Sequence, residues 1–365
     1  MNVGDSPSPE DAGYRVIGYT LGERGKAIRP SEAAKLTHIN YAFANVDWEG
    51  NVVLENPEDG KRLHRLTELR AYNPDLKILL SIGGWVWSDY FSDAALTADT
   101  RSRFARTSVD LLRKYDLDGI DIDWEYPGQR GEDNIYRPED RENFNRLLKA
   151  VREELNRQGR GDGRRYLLTI AAGANRSFLE HTDMAEAQKY LDFVNLMTYD
   201  FHGSWTPVTG HHTNLFPTGR NEQSNAAVRA VELFLEAGIP RKKLVLGVAF
   251  YGRGWTGVKA ENNGLYQSYE KSLPGLSYSE IADSILDRNG FTRYWDNRAK
   301  APYLWNSERK IFYTFDDVES LRHKTEFIRS EGLGGVMYWE HSNDPDEVLL
   351  NVLYENLLQV SKPAR

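Results

Sequence analysis

The sequence has no cysteine and no long apolar run in its 365 residues. The lack of cysteine excludes disulfide scaffolds, thiol nucleophiles and Cys-ligated zinc or iron–sulfur centres. The longest apolar runs, such as residues 244–251, fall far short of the ~20 residues that a membrane helix needs, so we expect no membrane association. Residues 1–13 are polar and proline-rich, without the apolar segment of a signal peptide. Two locations stay open: the cytoplasm, or the outside of the cell after a leader has been removed.

The chain also has fewer basic than acidic side chains. The chain carries 46 Lys and Arg against 54 Asp and Glu, which gives a net charge of −8. Because nucleic-acid phosphates attract Lys and Arg patches, we expect no nucleic-acid partner. Aromatic residues are abundant instead, with 9 Trp, 20 Tyr and 14 Phe. Such side chains fill a core or form surfaces on which flat ligands stack, and composition does not decide between these uses.

Eight short apolar runs alternate with segments of helical periodicity. The runs cover residues 15–19, 38–46, 76–82, 119–124, 166–171, 193–198, 244–250 and 335–339. Helical segments cover residues 97–114, 138–158, 221–237, 318–330 and 346–359, with Asn221 as a predicted cap. Nearly continuous apolar strands indicate a parallel sheet that is buried on both faces. Eight such units predict an α/β fold, a (β/α)8 TIM barrel with its active site at the C-terminal strand ends.

The length of the chain exceeds the roughly 250–300 residues of one simple core, which predicts either two domains or an insertion. Between residues 255 and 310 the helical pattern is weak and aromatic-rich pieces follow one another. This position predicts a small α+β insertion between strand 7 and strand 8, above the barrel mouth. The predicted organisation is an N-terminal tail (1–14), a catalytic barrel (15–254 and 311–365) and the insertion (255–310).

Two other segments resemble functional motifs. A doubly wound dinucleotide-binding sheet is the alternative fold, and Gly252 to Gly257 satisfies its GxGxxG pattern. Turn residues follow this pattern where a helix must open, so we reject the dinucleotide interpretation. The pair His211-His212 has no metal-ligand spacing around it, and we expect it in a surface loop.

The segment 118–127 carries three acids in strand alternation. Asp121, Asp123 and Glu125 share one face, with neighbours about 7 Å apart. The other face carries Ile120, Ile122 and Trp124. Acids lined up in a folded interior repel one another, and at least one of them should have a raised pKa. Glu125, last on the strand and nearest the barrel mouth, is therefore the candidate general acid. A hard-cation site and a solvated acidic edge are the alternatives.

Asp118, Asp121, Asp123 and Glu125 match the DxxDxDxE signature, and the sequence resembles the family 18 glycoside hydrolases, the chitinases. Four further segments resemble motifs of that family in the same order along the chain. They are SIGGW (81–85), MTYD (197–200), FYGRG (250–254) and GGVMYWE (334–340). In particular, the insertion resembles that of the bacterial-type, deep-cleft chitinases.

The resemblance implies a substrate-assisted mechanism with retention of configuration. Glu125 would protonate the glycosidic oxygen and later act as the base. Asp123 would hold the acetamide N–H of the sugar and share a proton with Asp121, while Tyr199 would donate to the acetamide oxygen. Asp118 would support the strand. The implied substrate-binding residues are Trp339 as the floor, Trp85 and Trp205 as sugar platforms, and Asp200, Met197, Tyr19, Phe43, Tyr251 and Arg253.

We therefore predict a chitinase that acts on chitin or chito-oligosaccharide without metal or cofactor. We expect a monomer, and an extracellular location because polymer substrates lie outside cells. Three alternatives stay open. They are an endo-β-N-acetylglucosaminidase on glycoprotein glycans, a two-carboxylate glycosidase with Glu340 as nucleophile, and a non-catalytic chitin-binding lectin. The presence of Glu125 argues against the lectin.

Overall fold

The computed structural model describes residues 13–22, 25–218 and 225–359. Fourteen strands occur in this part of the chain. They are β1 (Arg15–Leu21), β2 (His38–Val46), β3 (Val52–Val53), β4 (Lys77–Gly83), β5 (Gly119–Asp123), β6 (Leu167–Gly173), β7 (Phe193–Met197), β8 (Leu244–Ala249), β9 (Tyr251–Thr256), β10 (Lys271–Ser277), β11 (Thr292–Asp296), β12 (Ala301–Asn306), β13 (Ile311–Thr314) and β14 (Gly335–Trp339).

Eleven α-helices occur in the same ranges. They are α1 (Pro30–Ala33), α2 (Asp59–Glu68), α3 (Phe91–Leu96), α4 (Ala98–Lys114), α5 (Asp140–Asp162), α6 (Arg176–Glu180), α7 (Met184–Ala187), α8 (Ala227–Glu236), α9 (Tyr278–Ser284), α10 (Val318–Glu331) and α11 (Val348–Tyr354). A π-helical turn, Glu355–Gln359, continues α11. No helix of the described ranges has the length and apolar character needed to cross a bilayer.

Eight parallel strands form a closed barrel, which confirms the predicted (β/α)8 fold. The order is β1, β14, β8, β7, β6, β5, β4 and β2, and pairing of β1 with β2 closes the ring. Strand β3 adds a short antiparallel hairpin to β2. Every connection between consecutive barrel strands is a crossover, so all C-terminal strand ends open on one face of the barrel.

Alternating side chains of the strands divide the interior into two cores. Outward-facing residues pack against the helices, and Trp124, 1% exposed, stacks on Phe91 with ring centroids 5.4 Å apart. A smaller inward-facing cluster fills the barrel with Ile17, Tyr19, Ala42, Phe193, Val245 and Met337. The alternation at β5 therefore places its apolar face in the helix layer and its acids in the barrel.

The predicted insertion lies between β8 and β14, the seventh and eighth barrel strands. It is a five-stranded antiparallel sheet in the order β10, β9, β13, β12 and β11, with α9 packed beside it. Its own core includes Trp255, Trp305 and Phe312. The sheet begins at Tyr251 and ends at Thr314, a little outside the predicted bounds at each end. The division of the chain into domains stays a prediction.

Two helices differ from expectation at their ends. Helix α5 runs to Asp162, four residues past its predicted end, because the chain turns only at Gly163 in the left-handed conformation (φ 67°). Helix α8 begins at Ala227, and the predicted cap Asn221 lies outside the described residues. So does most of the predicted N-terminal tail.

Candidate active site

A cleft of about 1160 Å³ lies at the C-terminal ends of the barrel strands. All the predicted site residues except Asp121 line it. These are Tyr19, Phe43, Trp85, Asp123, Glu125, Met197, Tyr199, Asp200, Trp205, Tyr251, Arg253 and Trp339. The tertiary structure thus brings together side chains that are more than 300 residues apart in the chain.

Asp121 lies beneath the cleft floor, and its carboxylate accepts four hydrogen bonds. The donors to Oδ2 are Tyr19 Oη and Ser81 Oγ, each at 2.8 Å. The donors to Oδ1 are Thr169 Oγ1 at 2.5 Å and Asn195 Nδ2 at 3.3 Å. Burial raises the pKa of Asp121, and these hydrogen bonds oppose the rise. The carboxylate is therefore held in one orientation from both sides.

Asp123 is almost fully buried, and its Oδ1 atom has no hydrogen-bond partner among the described residues. Its pKa is raised well above the ordinary value by burial first, and then by the charges of Glu125 and Asp121. An unpartnered buried acceptor is costly unless a ligand completes it. Asp123 is thus available to accept a hydrogen bond from a bound molecule.

Glu125 follows β5 at the base of the cleft and is 9% exposed. Its backbone N–H donates to Ser88 Oγ at 2.9 Å. Burial raises the pKa of its carboxyl to about 7, with a further contribution from the Asp200 charge and an opposing hydrogen bond from Tyr126. The side chain is therefore partly protonated near neutral pH, as a general acid requires.

Two glycines of the SIGGW segment allow the backbone to approach this site. Gly83 has φ 105°, and a Cβ there would lie 2.4 Å from the carbonyl oxygen of Asp123. Gly84 has φ 80°, and a Cβ there would lie 2.7 Å from the ring of Phe43. Larger residues would displace the floor of the cleft.

The phenol of Tyr199 lies inside the cleft wall. Its hydroxyl is 3.8 Å from Met337 Sδ, a weak acceptor, and its ring packs edge-on against Tyr251 with centroids 6.2 Å apart. Burial and the nearby carboxylates raise its pKa well above the ordinary value. The hydroxyl thus stays protonated and able to donate to a ligand.

Asp200, in a left-handed conformation (φ 60°), links the β7 loop to the insertion. Its Oδ1 atom accepts from Tyr251 Oη at 2.7 Å and from Arg253 Nε at 2.5 Å. Both donors lie on β9, in the insertion sheet rather than on the seventh barrel strand. Its pKa lies well below the ordinary range because the nearby His212 and the hydrogen bond and charge of Arg253 outweigh the effect of burial.

Aromatic rings cover the cleft floor and its rim. Trp339 stacks on Phe43 at 5.6 Å and contacts Tyr19 at 5.8 Å. On the rim, Trp85 is 48% and Trp205 is 60% exposed, so both present open ring faces. The guanidinium of Arg253 lies 4.9 Å from the Trp205 ring.

Some site residues were missed by the sequence reasoning. Thr169 on β6 and Asn195 on β7 donate hydrogen bonds to Asp121. Both occupy inward-facing positions in the alternation of their strands, and this alternation could have identified them from the sequence. Tyr126 and Trp87 also line the cleft. Tyr126 follows Glu125 directly, but its contact with that carboxyl is a tertiary detail.

One expectation about these motifs changes with the structure. His211 and His212 are completely buried, and the expected surface loop is wrong. They pack between the β7 loop and the insertion, where His211 Nε2 lies 3.1 Å from Asp296 Oδ2. Gly252 to Gly257 lies in β9 and its following turn, not at a helix start. Across the described residues, no group of three or more His, Asp or Glu has metal-binding geometry.

Glu340 is buried at the end of β14 but does not line the cleft. Its Oε2 atom accepts from Ser342 N at 3.1 Å, and its Oε1 atom from Ser342 Oγ. The carboxylate thus caps the short turn that follows the strand. Both oxygens are thus engaged by this turn, and neither lines the cleft.

Comparison with known proteins agrees with this geometry. The sequence profile of "Glycosyl hydrolases family 18" matches residues 15–344. The chain is 37% identical to Chitinase A1 of Niallia circulans, over 94% of this chain and 58% of that protein's length. It is 32% identical to Chitinase B of Serratia marcescens, over 87% of this chain and 75% of that protein.

A solved structure of a family 18 N-acetylglucosaminidase from Paenibacillus barengoltzii superposes with a TM-score of 0.89. It is 43% identical in sequence and covers 94% of this chain and 99% of its own. These similarities extend over the barrel, the carboxylate strand and the insertion together. The chain belongs to family 18 of the glycosyl hydrolases.

Proposed function

We propose that this protein is a chitinase, which hydrolyses β-1,4-linked N-acetylglucosamine polymers and oligomers with retention of configuration. The observation that carries the proposal is the buried row of Asp121, Asp123 and Glu125 beneath an aromatic cleft. Family membership and the names of the relatives support the same reaction. No metal or cofactor takes part in the proposed steps.

In the proposed mechanism Glu125 gives its proton to the glycosidic oxygen. The N-acetyl carbonyl oxygen of the sugar bonds to the anomeric carbon as the glycosidic C–O bond breaks, and the leaving sugar departs with a free hydroxyl. Asp123 accepts the acetamide N–H through its unpartnered oxygen and stabilises the positive charge that develops. Tyr199 donates to the acetamide oxygen. Water then opens the cyclic intermediate with Glu125 as base, so the configuration is retained.

The substrate supplies the nucleophile in this scheme, and the position of Glu340 supports it. A conventional retaining glycosidase needs a second carboxylate about 5–5.5 Å from the acid. Glu340, the candidate for that role, is engaged by Ser342 outside the cleft. The N-acetyl group then becomes essential, and we expect deacetylated oligomers to resist cleavage.

The decisive experiment compares Glu125→Gln with Glu340→Gln on a chito-oligosaccharide ladder. Loss of one general acid costs about 10²–10⁴-fold in kcat, so Glu125→Gln should be nearly inactive but should still bind oligomers. Glu340→Gln is the matched control, with the same change at the end of another barrel strand, and should keep its activity. Unchanged turnover by Glu125→Gln, or inactivity of Glu340→Gln with its fold intact, would refute the mechanism.

Release of single N-acetylglucosamine units is a second candidate, which the 43% identical N-acetylglucosaminidase favours. Product sizes from the same ladder separate the two, because monomer alone indicates terminal cleavage. Hydrolysis of a high-mannose glycopeptide in place of the ladder would instead indicate an endo-β-N-acetylglucosaminidase. We also propose that the enzyme acts outside the cell, because polymeric chitin is too large to enter it.

A further inference from the structure

His212 lies in the loop between β7 and α8, close to Asp200 but outside the cleft lining. Its side chain is completely buried. Neither ring nitrogen makes a regular hydrogen bond within the described ranges. A neutral imidazole carries one N–H, and leaving it unsatisfied in the interior is costly. The Asp200 Oδ1 atom lies 3.5 Å from Nδ1 and is positioned to accept from it.

The contacts of Asp200 converge on one oxygen. Tyr251 Oη, Arg253 Nε and His212 Nδ1 all lie next to Oδ1, at 2.7, 2.5 and 3.5 Å. Oδ2 accepts no hydrogen bond from the described part of the chain, which leaves it to the ligand. Three contacts on Oδ1 thus determine how the carboxylate faces the cleft.

The backbone of His212 is hydrogen-bonded to the loop after β7 and to β13. Its carbonyl accepts from the N–H of Phe201, the residue after Asp200, at 3.0 Å. Its own N–H donates to Thr314 Oγ1, at the end of β13, at 3.3 Å. The imidazole packs against Tyr251 with ring centroids 5.1 Å apart. These contacts hold His212 beside Asp200.

We propose that His212 is a positioning residue, whose neutral imidazole donates its Nδ1–H to Asp200 Oδ1 and orients the carboxylate toward the substrate. Catalytic hydrogen bonds are often long in the free enzyme and shorten when substrate binds, which fits the 3.5 Å separation.

The surrounding charges support a neutral ring. Burial lowers the pKa of His212, and the positive charge of Arg253 acts in the same direction. Asp200 and Asp316 act against it, but Asp316 is itself paired with Lys324 at 2.6 Å. The ring therefore serves as a hydrogen-bond donor rather than as a second cation beside Arg253.

The tautomer of His212 can be read directly, whatever the substrate. Histidine-selective ¹⁵N labelling and long-range ¹H–¹⁵N spectra distinguish a proton on Nδ1 from one on Nε2. Among the eight histidines, His212 is assigned by the signal that disappears in His212→Asn. We expect the neutral Nδ1–H form near pH 7. A neutral Nε2–H form, or a cationic ring, would overturn the proposal.

The kinetic consequence rests on the proposed chitinase activity. Removing the donor in His212→Leu should lower kcat on a chito-oligosaccharide about tenfold, as expected for a lost hydrogen bond to a charged group. His212→Asn places an amide N–H where Nδ1 was and should recover most of that loss. His211→Asn is the matched control, since it removes the adjacent buried imidazole, which contacts Asp296 instead of Asp200.

The two proposals fail in different ways. A wild-type enzyme that does not cleave the ladder refutes the proposed function, while the tautomer measurement still decides the role of His212. Equal kcat for His212→Leu and His212→Asn, with wild-type cleavage intact, would show that the ring only fills space. If His212→Leu does not fold, the tautomer of the wild-type protein remains the test.

Discussion

At the residue scale, three carboxyl groups of similar chemistry differ in their surroundings. Asp121 accepts four hydrogen bonds, Asp123 leaves one buried oxygen without a partner, and Glu125 is closest to the cleft. Burial raises the pKa of all three. Because their partners differ, the three acids suit three different roles: positioning, stabilising a developing charge and donating a proton.

The first prediction concerns the alkaline side of the pH profile. In the proposed mechanism Glu125 must be protonated to act as the acid, and its pKa is about 7. We therefore expect kcat/KM to fall as pH rises through about 7. Because the Asp200 charge contributes to this rise, Asp200→Asn should move the alkaline limb to lower pH. Rate measurements from pH 5 to 9 test this, and a wild-type limb near pH 4.5, the ordinary value for Glu, would contradict it.

The second prediction concerns the stability cost of the same side chain. On folding, the pKa of Glu125 rises from 4.5 to about 7, so the folded state binds the proton more tightly. The contribution of Glu125 to stability is then greatest below pH 4.5 and is lost as pH rises to about 7. Glu125→Gln avoids this loss and should be more stable than wild type by about 3 kcal/mol at pH 8. Urea unfolding at pH 4 and pH 8 measures the difference, which should vanish at pH 4.

At the element scale, β5 is held at both ends by different chemistry. Its C-terminal end carries the acids, while Asp118 holds the opposite end beside β4. Asp118 Oδ2 accepts from Ile78 N at 2.8 Å and from Arg70 at 2.7 Å, and Oδ1 accepts from Arg164 at 2.8 Å. The first acid of the signature thus lies far from the cleft, consistent with structural support.

Asp118→Ala is therefore expected to lower stability without changing turnover. It leaves a buried N–H and two arginines without their acceptor, which should cost about 2–3 kcal/mol. Asp116→Asn is the control, because Asp116 contacts the same two arginines from an exposed position and Asn tolerates its left-handed backbone (φ 52°). An exposed pair contributes about 0–1 kcal/mol. Unfolding curves measure both variants, and a loss of kcat in folded Asp118→Ala would contradict this assignment.

The sequence predicted elements more reliably than their ends. All eight barrel strands coincide with predicted apolar runs, because strands buried on both faces need nearly continuous apolar side chains. Helix α5 continues past its predicted end through Gly159 and Gly161 and ends only before the left-handed Gly163. The burial of His211 and His212 was not predictable, since the insertion that covers them is remote in sequence.

At the scale of the whole molecule, a buried ion pair connects the end of the insertion to the barrel. Lys324 on α10 lies 2.6 Å from Asp316, which follows β13, and neither side chain is exposed. Asp316 also accepts from Ala249 N at the end of β8 and from Thr213 Oγ1 in the loop after β7. This pair joins the barrel, the insertion and the loop that carries Asp200.

Lys324→Met should lower the free energy of unfolding by about 3–5 kcal/mol, because it leaves a buried carboxylate unpaired. Adding Asp316→Asn removes that charge, keeps an acceptor for Ala249 N and should recover part of the loss. Denaturant unfolding of the two variants measures this. If the double variant is no more stable than Lys324→Met, the ion pair is not the source of the loss.

Local periodicity and motifs contiguous in the chain are enough to predict the barrel, the carboxylate strand and the family. The groups that meet across distant elements become known only from the folded chain. It placed Thr169 and Asn195 on Asp121, brought Tyr251, Arg253 and His212 to Asp200, and turned Glu340 toward Ser342. The physical reason is that side-chain contacts and pKa values depend on burial and on neighbours that folding brings together, and no sequence spacing encodes them.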